Sequence, residues 1–188
     1  MKQLLLTISL LICLLLSSDS LSQGMEQSTR DRVWLGLQMF PALVGGNMDI
    51  RTKLDSGGKL LLLVVFQNDR VWAKKMAESL DKRVNNIYKY PIRTDITEDI
   101  DFKAYNPGQV AGVFVSEQLS PDRRTRLVRF GIRHRIVIFS PFVKDVEEGV
   151  TAGLHISTQT RPALNLTTIR KSGLRMNKLF FKVAKTYE

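Results

Sequence analysis

"KLLLLVVFQNDRVWAKKMAESLDKR", residues 59–83, contains the pattern of a strand followed directly by a helix. The run 60–66 is apolar throughout and has no polar face, which is typical of a strand covered on both sides in a parallel sheet. Asn68 or Asp69 can cap the helix that follows. The predicted apolar face of that helix consists of Val71, Trp72, Met76 and Leu80.

A second strand signal follows this helix. The stretch "NNIYKYPIRT", residues 85–94, alternates apolar and polar side chains as a strand does. Strand, helix and strand in this order make a βαβ unit, in which the two strands are parallel and the crossover is right-handed.

The same alternation continues to the end of the chain. "VAGVFVSE" (110–117) and "RIVIFS" (135–140) predict two more buried strands, with a helix between them that starts at Ser120 and Pro121. A helix over 31–44 precedes the whole pattern, with Pro41 as its kink or end. The prediction is a single-domain, three-layer Rossmann-like α/β sandwich with a mostly parallel sheet.

The N-terminus has the layout of a secretory signal peptide. "MKQLLLTISLLICLLLSSDSLSQG" places Lys2 before an apolar run over 4–16, too short to span a bilayer, and then small polar residues. The predicted signal peptide is 1–22, with cleavage before Gln23; a retained N-terminal anchor is the alternative. The helix and loop of 23–58 and the α/β domain of 59–188 are expected to form one unit. The expected location is the periplasm.

The only cysteine, Cys13, lies inside the predicted signal peptide. The mature chain is therefore expected to have no disulfide and no cysteine metal ligand.

Positive charge is concentrated in the last third of the chain. The net charge is +10, and residues 118–188 carry 14 Lys and Arg against 5 Asp and Glu. Such a surface attracts acidic partners, although it can equally be a solvated face that keeps the protein soluble. Export argues against nucleic acid as a partner. The predicted partner-binding residues are Arg161, Arg170, Lys171, Arg175 and Lys178.

The sequence contains no recognisable catalytic motif. His134 and His155 are the only histidines, and no metal-binding, nucleophile-elbow or glycine-rich nucleotide motif is present. We therefore predict no enzymatic activity, no catalytic residue, no metal and no cofactor. Parallel sheets bind ligands beyond the carboxyl ends of their strands, so polar residues there form a candidate ligand crevice, with turn and cap roles as the alternative. These residues are Asn68, Asp69, Ser116 and Ser140.

The closing segment carries a family resemblance. "GVTAGLHISTQTRPALNLTTIRKSGLRMNKLFFKVAK", residues 149–185, has a glycine-containing strand, a short strand ending in an apolar-Asn-apolar triplet, and a helix signature. In this order and spacing the chain resembles the YfiR/HmsC-like family of bacterial periplasmic proteins. The residues that carry the signature are Leu164, Asn165, Leu166, Gly173, Leu174 and Leu179.

The resemblance implies regulation. Members of that family are soluble, often dimeric Rossmann-like proteins that restrain the periplasmic domain of an inner-membrane diguanylate cyclase, and so limit cyclic-di-GMP, exopolysaccharide and biofilm. The implied partner is such a cyclase or another membrane sensor, with a homodimer as a further expectation and no integral membrane segment in the mature chain. The alternative is a periplasmic small-ligand binding component of a transport or sensing system.

Two departures from the family pattern limit the comparison. The mature chain lacks the cysteines of familiar members, and Phe40-Pro41 stands where many members have Trp-Pro.

The basic stretch from Thr168 is predicted to be one final helix. Its inward-facing residues are expected to be Leu174, Leu179, Phe180, Val183 and Ala184. Asn165 is expected to be a buried amide that fixes the corner between the last strand and this helix.

Overall fold

The computed structural model describes residues 26–188. The predicted signal peptide (1–22), Cys13 and the cleavage before Gln23 lie outside these residues. Within them the chain forms one eight-stranded sheet. The strands are β1 (Leu60–Val65), β2 (Asn86–Ile87), β3 (Tyr90–Thr97), β4 (Val110–Val115), β5 (Val137–Ser140), β6 (Ala152–Ile156), β7 (Thr160–Asn165) and β8 (Lys185–Tyr187).

Five α-helices and two 3-10 helices accompany the sheet in the described residues. The first helix, α1, covers residues 26–45 and continues through Pro41 to the Gly45–Gly46 stop. The others are α2 (Arg70–Arg83), α3 (Pro121–His134), α4 (Leu166–Ser172) and α5 (Lys178–Val183), with 3-10 helices at Ile50–Lys53 and Pro107–Gln109. Within residues 26–188 none of these helices combines the length and the apolar character needed to cross a membrane.

The sheet confirms the predicted fold class. Its strand order is β2-β3-β1-β4-β5-β6-β7-β8, and the strands from β3 to β6 are all parallel. Strand β2 is antiparallel to β3 and β7 is antiparallel to β6, whereas β8 pairs parallel with β7. The predicted β1–α2–β3 unit is confirmed, because β1 and β3 pair in parallel and α2 connects them.

Helices cover both faces of the sheet. On β5, Phe139 faces α1, where its ring lies 6.0 Å from that of Phe40, whereas the adjacent Ile138 faces Gly131 of α3. Helix α2 lies on the α1 side, because the rings of Trp34 and Trp72 meet edge to face at 5.9 Å. Helix α4 packs beside α3. The result is a three-layer sandwich.

Two glycines let α1 and the sheet approach each other closely. A Cβ at Gly112 of β4 would collide with Val44 and with the Phe40 ring, and one at Gly36 of α1 would lie 2.9 Å from Phe139 and Pro141. The packing of Phe40, Leu43 and Val44, each at most 1% exposed, also accounts for the helix continuing beyond Pro41. Burial of that last turn compensates for the backbone hydrogen bond that proline cannot make.

Helix α2 begins as predicted, but one residue of its predicted apolar face was wrong. Asp69 is the N-cap and accepts a hydrogen bond from the Trp72 backbone N–H at 2.8 Å. Trp72, Met76 and Leu80 are buried, whereas Val71 is 82% exposed. Val71 lies in the first turn of the helix, and its side chain faces solvent.

The predicted single C-terminal helix was also wrong. Gly173 ends α4 with a φ of 67°, and residues 174–177 then pair with the end of α1 through hydrogen bonds from Met48 N to Arg175 O and from Asn177 N to Gly46 O, both at 2.8 Å. This pairing separates α4 from α5, so the residues of α5 do not continue the face that α4 turns inward. Leu174 and the partly buried Phe180 and Ala184 face inward as expected, but two others do not. The exposed pair is Leu179 (63%) and Val183 (50%).

Asn165 occupies the corner predicted for it. It is 3% exposed and is the N-cap of α4, where its Oδ1 accepts from Thr168 N at 2.7 Å. Its Nδ2 donates to Val146 O at 2.7 Å. Two other signature residues, Leu164 in β7 and Leu166 at the start of α4, adjoin this corner.

Candidate functional site

The strand order reverses between β1 and β4, and a cleft opens at that point. From β1 the chain crosses to β3 on one side, whereas β4 lies on the other side. Beyond the carboxyl ends of β1 and β4 lies a cavity of about 380 Å³. This is the position at which open parallel sheets bind ligands. We call it the switch-point cleft; its main walls are Arg30, Val33, Trp72, Glu117, Phe142 and Val143.

Apolar side chains form much of the wall of the switch-point cleft. Trp72 is held in place because its indole Nε1 donates to Ser116 O at 3.1 Å and its ring meets Trp34 edge to face. Val33 is 1% exposed and Phe142 is 6% exposed, so both are core residues that also form part of the cleft wall. Val143, by contrast, is 65% exposed and stands at the rim. A cleft of this size and character suits the apolar part of a small molecule.

The N-terminus of α2 holds an internal anion. One carboxylate oxygen of Glu117, Oε1, accepts backbone N–H groups from Gln67, from Asn68 at 2.5 Å and from Asp69 at 2.9 Å. Burial opposes ionisation of this carboxyl, but the three donors outweigh that effect and hold the pKa of Glu117 below its ordinary value. The backbone donors that bind phosphate in nucleotide-binding folds are therefore already engaged by the protein itself.

Two arginines from α1 border the cleft. The guanidinium of Arg30 lies 5.0 Å from the centre of the Trp72 ring, and its Nη2 is 2.6 Å from Glu26 Oε1. Arg32 donates to the carbonyl oxygens of Pro141 and, at 3.0 Å, Leu154. Burial lowers the pKa of the Arg32 guanidinium. The Arg32 guanidinium is thus hydrogen-bonded within the protein. Arg30, by contrast, lies at the mouth of the cleft, where its ion pair with Glu26 is open to solvent.

A second, smaller cavity of about 250 Å³ shares the Arg32, Phe142 and Val143 wall. It reaches towards His155 of β6 and Tyr187 of β8. The crevice along the carboxyl edge is therefore two hollows that share the Arg32, Phe142 and Val143 wall.

The structure brings together only part of the crevice predicted from the sequence. Asp69 and Ser116 line the switch-point cleft. Asn68 lies beside it and donates its backbone N–H to Glu117. Ser140 does not reach the cleft, because its hydroxyl is buried and donates to Asp145 Oδ2 at 2.5 Å.

Asp145 joins three elements behind the cleft. Besides Ser140, its carboxylate accepts from Gln118 at 3.2 Å and pairs with Arg124 at 3.3 Å. Burial raises the pKa of Asp145, although the hydrogen bonds and the Arg124 charge act against it. Gln118 lines the cleft, so Asp145 holds part of its wall in position.

Neither serine has the surroundings of a nucleophile. The Ser116 hydroxyl donates to Val65 O at 2.9 Å, and that of Ser140 donates to Asp145. In residues 26–188 no three His, Cys, Asp or Glu side chains form a group that could hold a metal ion.

The predicted partner-binding cations are all exposed, but two of them already have a carboxylate partner within the protein. Arg170 lies 3.9 Å from Glu188, and Arg175 lies 3.2 Å from Asp49. Lys171 on α4 and Lys178 on α5 have no carboxylate within 4 Å among residues 26–188, and Arg161 stands opposite His155 in the β6–β7 pair.

Several cleft residues could not be identified from the sequence. Arg30 and Arg32 lie on α1, far from the strand ends in the chain, and only the antiparallel packing of α1 on the sheet brings them there. Trp72 was predicted as a core residue, which it also is. The one available signal was Glu117, an acidic residue directly after a buried strand, which is the usual place for a ligand or cap residue.

Comparisons with known proteins found one kind of similarity, to a solved structure. No protein-family model and no curated protein matches it. A solved structure, the ABC domain from Streptococcus pneumonia in complex with L-Trp, is similar with a TM-score of 0.47 and 9% sequence identity. The similarity covers 78% of this chain and 62% of that domain.

Proposed function

We propose that the protein is a non-catalytic binding protein that takes a small organic molecule into the switch-point cleft. The observation that carries this proposal is the cleft's position at the reversal of strand order, together with a tryptophan wall fixed from two sides. Concave sites with apolar walls and a few charged groups are the usual form of small-molecule sites.

The chemistry of the walls points to a ligand with an apolar body and a charged head. The body would lie against Trp72, Phe142 and Val143. At the mouth, Arg30 can bind a carboxylate, and the exposed carboxylates of Glu26 and Asp69 can bind an amine. Amino acids with large apolar side chains are the simplest molecules that carry all three features.

A nucleotide fits this cleft less well. Nucleotide phosphates need free backbone donors at the first strand–helix turn, and here Glu117 takes those of Gln67, Asn68 and Asp69. A phosphate would have to displace that carboxylate.

Thermal unfolding with a panel of apolar amino acids tests the proposal. A ligand at 100 times its Kd adds about 2.7 kcal/mol to stability, so binding raises the unfolding midpoint measurably. Val143→Trp fills the exposed rim of the cleft and should abolish the shift. The matched control is Val71→Trp, which makes the same change at an exposed position outside the cleft and should leave the shift intact. An absent shift, or one unaffected by Val143→Trp, rules the proposal out.

We further propose that this binding serves regulation, as the resemblance to YfiR/HmsC-like proteins implies. In this proposal the protein is exported to the periplasm and restrains an inner-membrane sensor such as a diguanylate cyclase. The exposed cations of the C-terminal segment favour this role, because Lys171 and Lys178 have no carboxylate neighbour among residues 26–188 and can meet an acidic surface.

Deleting the gene and measuring cyclic-di-GMP and matrix production tests the regulatory role, and crosslinking identifies the partner. Lys171→Glu with Lys178→Glu should weaken crosslinking to that partner, whereas Lys82→Glu, an exposed lysine of α2, should not. Unchanged cyclic-di-GMP and no crosslinked membrane protein would refute it.

A further inference from the structure

Lys53 is a buried lysine without a counter-ion. It lies in the 3-10 helix Ile50–Lys53, is 6% exposed, and is the only Lys or Arg in the buried class among residues 26–188. Its Nζ donates to His134 O at 2.7 Å, and no carboxylate of the described residues lies within 4 Å. An ammonium has three N–H donors, so two of them have no acceptor in this part of the chain. Buried lysines are normally paired, which makes this arrangement exceptional.

A second cation stands beside it. Arg135 follows the last residue of α3 with φ 53° and ψ 49°, a left-handed conformation that is uncommon for a non-glycine residue. Within residues 26–188 its guanidinium pairs with no carboxylate. Burial lowers the pKa of Lys53 to about 8, and repulsion from the Arg135 charge adds to this effect. Lys53 and the exposed Arg135 are therefore neighbouring positive charges, and neither pairs with a carboxylate of the described residues.

Both groups line one cavity. It has a volume of about 270 Å³, and its walls include Asn47, Asp49, Lys53 and Arg135. Asn47 is 3% exposed; its Oδ1 accepts from Asp49 N, while its Nδ2 has no acceptor in the described chain. The Asp49 carboxylate is 3.2 Å from Arg175 Nε and is not the partner of Lys53. We call this hollow the Lys53 cavity.

We propose that the Lys53 cavity binds a small tetrahedral oxyanion, such as a phosphate or sulfate group, held by the Lys53 ammonium and the Arg135 guanidinium. The anion would supply the missing counter-charge and accept the free lysine and asparagine donors. The cavity's volume admits such a group with few additional atoms, so a free ion or a small phosphate ester fits and a large nucleotide does not.

This site is separate from the switch-point cleft. Lys53 and Arg135 lie at the amino ends of the parallel strands, because Arg135 precedes β5 and α1 has already crossed the sheet before residue 50. Either site can therefore exist without the other.

Isothermal titration of the purified protein with sodium phosphate and with sodium sulfate at pH 7, at ionic strength matched with sodium chloride, tests the proposal. We expect one saturable site, and a Kd at least about tenfold weaker in Lys53→Met and in Arg135→Asn, each of which removes one charged donor. Asparagine tolerates the left-handed conformation of position 135, so this variant keeps the backbone. Arg129→Gln, which removes an exposed arginine of helix α3 outside the cavity, is the control and should bind normally.

A pH series distinguishes the cavity from general surface attraction. The charged groups around Lys53 are Arg135 and His134 at the end of α3, and Asp49 with its partner Arg175. Sulfate keeps its charge from pH 7 to 9.5, whereas Lys53 loses its proton, so sulfate affinity should fall about tenfold or more over this range. Parent protein with equal sulfate affinity at both pH values, no saturable site, or unchanged binding in both variants overturns the proposal.

Discussion

The two ends of the parallel strands differ in whether their charged side chains have partners within the protein. At the carboxyl ends, the charges around the cleft are matched within the protein: Glu117 by three backbone donors, Arg32 by two carbonyls, and Asp145 by Ser140, Gln118 and Arg124. At the amino ends, Lys53 has one carbonyl, and Arg135 has no carboxylate among the described residues.

The difference teaches what each end can bind. A cleft whose buried charges are already satisfied selects ligands by its apolar wall, and it meets a charged head only through the exposed groups at its mouth. A cavity with unmatched charge selects by charge, and its stability depends on whether the missing ion is present.

The largest effect is expected from removing the central group of the satisfied network. Asp145→Ala should lower the free energy of unfolding by about 3 kcal/mol, because it leaves the Ser140 hydroxyl and the Gln118 amide without their acceptor and Arg124 without a buried partner. Asp145→Asn keeps the shape and should cost clearly less. Urea unfolding measures both; equal losses would mean that the retained shape and acceptor oxygen of asparagine contribute nothing and that the negative charge alone stabilises this region.

A smaller loss is expected at the α2 N-terminus. Glu117→Ala should cost about 1–2 kcal/mol, since the backbone N–H groups of Gln67, Asn68 and Asp69 lose their acceptor while water can replace it in part. The pKa of Glu117 is below its ordinary value, so the folded state binds this proton less readily than the unfolded chain. Its contribution is therefore complete above about pH 4.5 and is lost as the pH falls further. The gap between parent and variant should narrow from pH 5 to 3; a constant gap contradicts this assignment.

At the opposite end of the sheet, stability should also rise with pH, but in an alkaline window and because the fold disfavours a charge instead of stabilising one. The pKa of Lys53 is about 8 in the fold against 10.5 in the unfolded chain, so between these values the unfolded state binds more protons. Stability in oxyanion-free buffer should therefore rise by roughly 1–2 kcal/mol from pH 8 to 10. Lys53→Met should lack this rise and should be no less stable than the parent at pH 7. An identical pH profile in both proteins would show that another group causes the change.

The smallest effect is expected on the exposed basic surface. Arg175→Ala breaks the ion pair with Asp49, but both side chains are well exposed, so the loss should stay below about 0.5 kcal/mol. A thermal midpoint shifted by more than a few degrees would mean that Arg175 fixes the 174–177 segment instead.

The sheet could be predicted from the sequence because its signals are local. The apolar run before Asn68, the cap at Asp69 and the 110–117 and 135–140 strands each determine their own structure within a few residues. These elements also predict a parallel sheet, and with it the edge at which ligands bind.

The features that the sequence missed are set by distant contacts. The interruption after Gly173 depends on pairing of residues 175–177 with residues 46–48, and no local pattern marks it. Lys53 follows Ile-Arg-Thr and has the pattern of an exposed turn; it is buried only because the end of α3, 81 positions away, packs over it. Arg30 reaches the cleft through helix packing alone. Sequence patterns therefore predict where the cleft lies better than they predict what surrounds it.

Fluorescence of Trp72 tests the central claim, ligand binding in the switch-point cleft, most directly. The chain has two tryptophans, so Trp34→Phe leaves Trp72, in the wall of the cleft, as the only one. Titrating this variant with L-leucine or L-phenylalanine, which do not emit in its range, should produce a saturable change in emission. Val143→Trp would add a second fluorophore, so Val143→Arg is used here to block the cleft and should abolish the response. Val71→Arg is its matched control and should leave the response intact. No saturable change with any apolar amino acid, or an equal change in the blocked protein, would contradict the account.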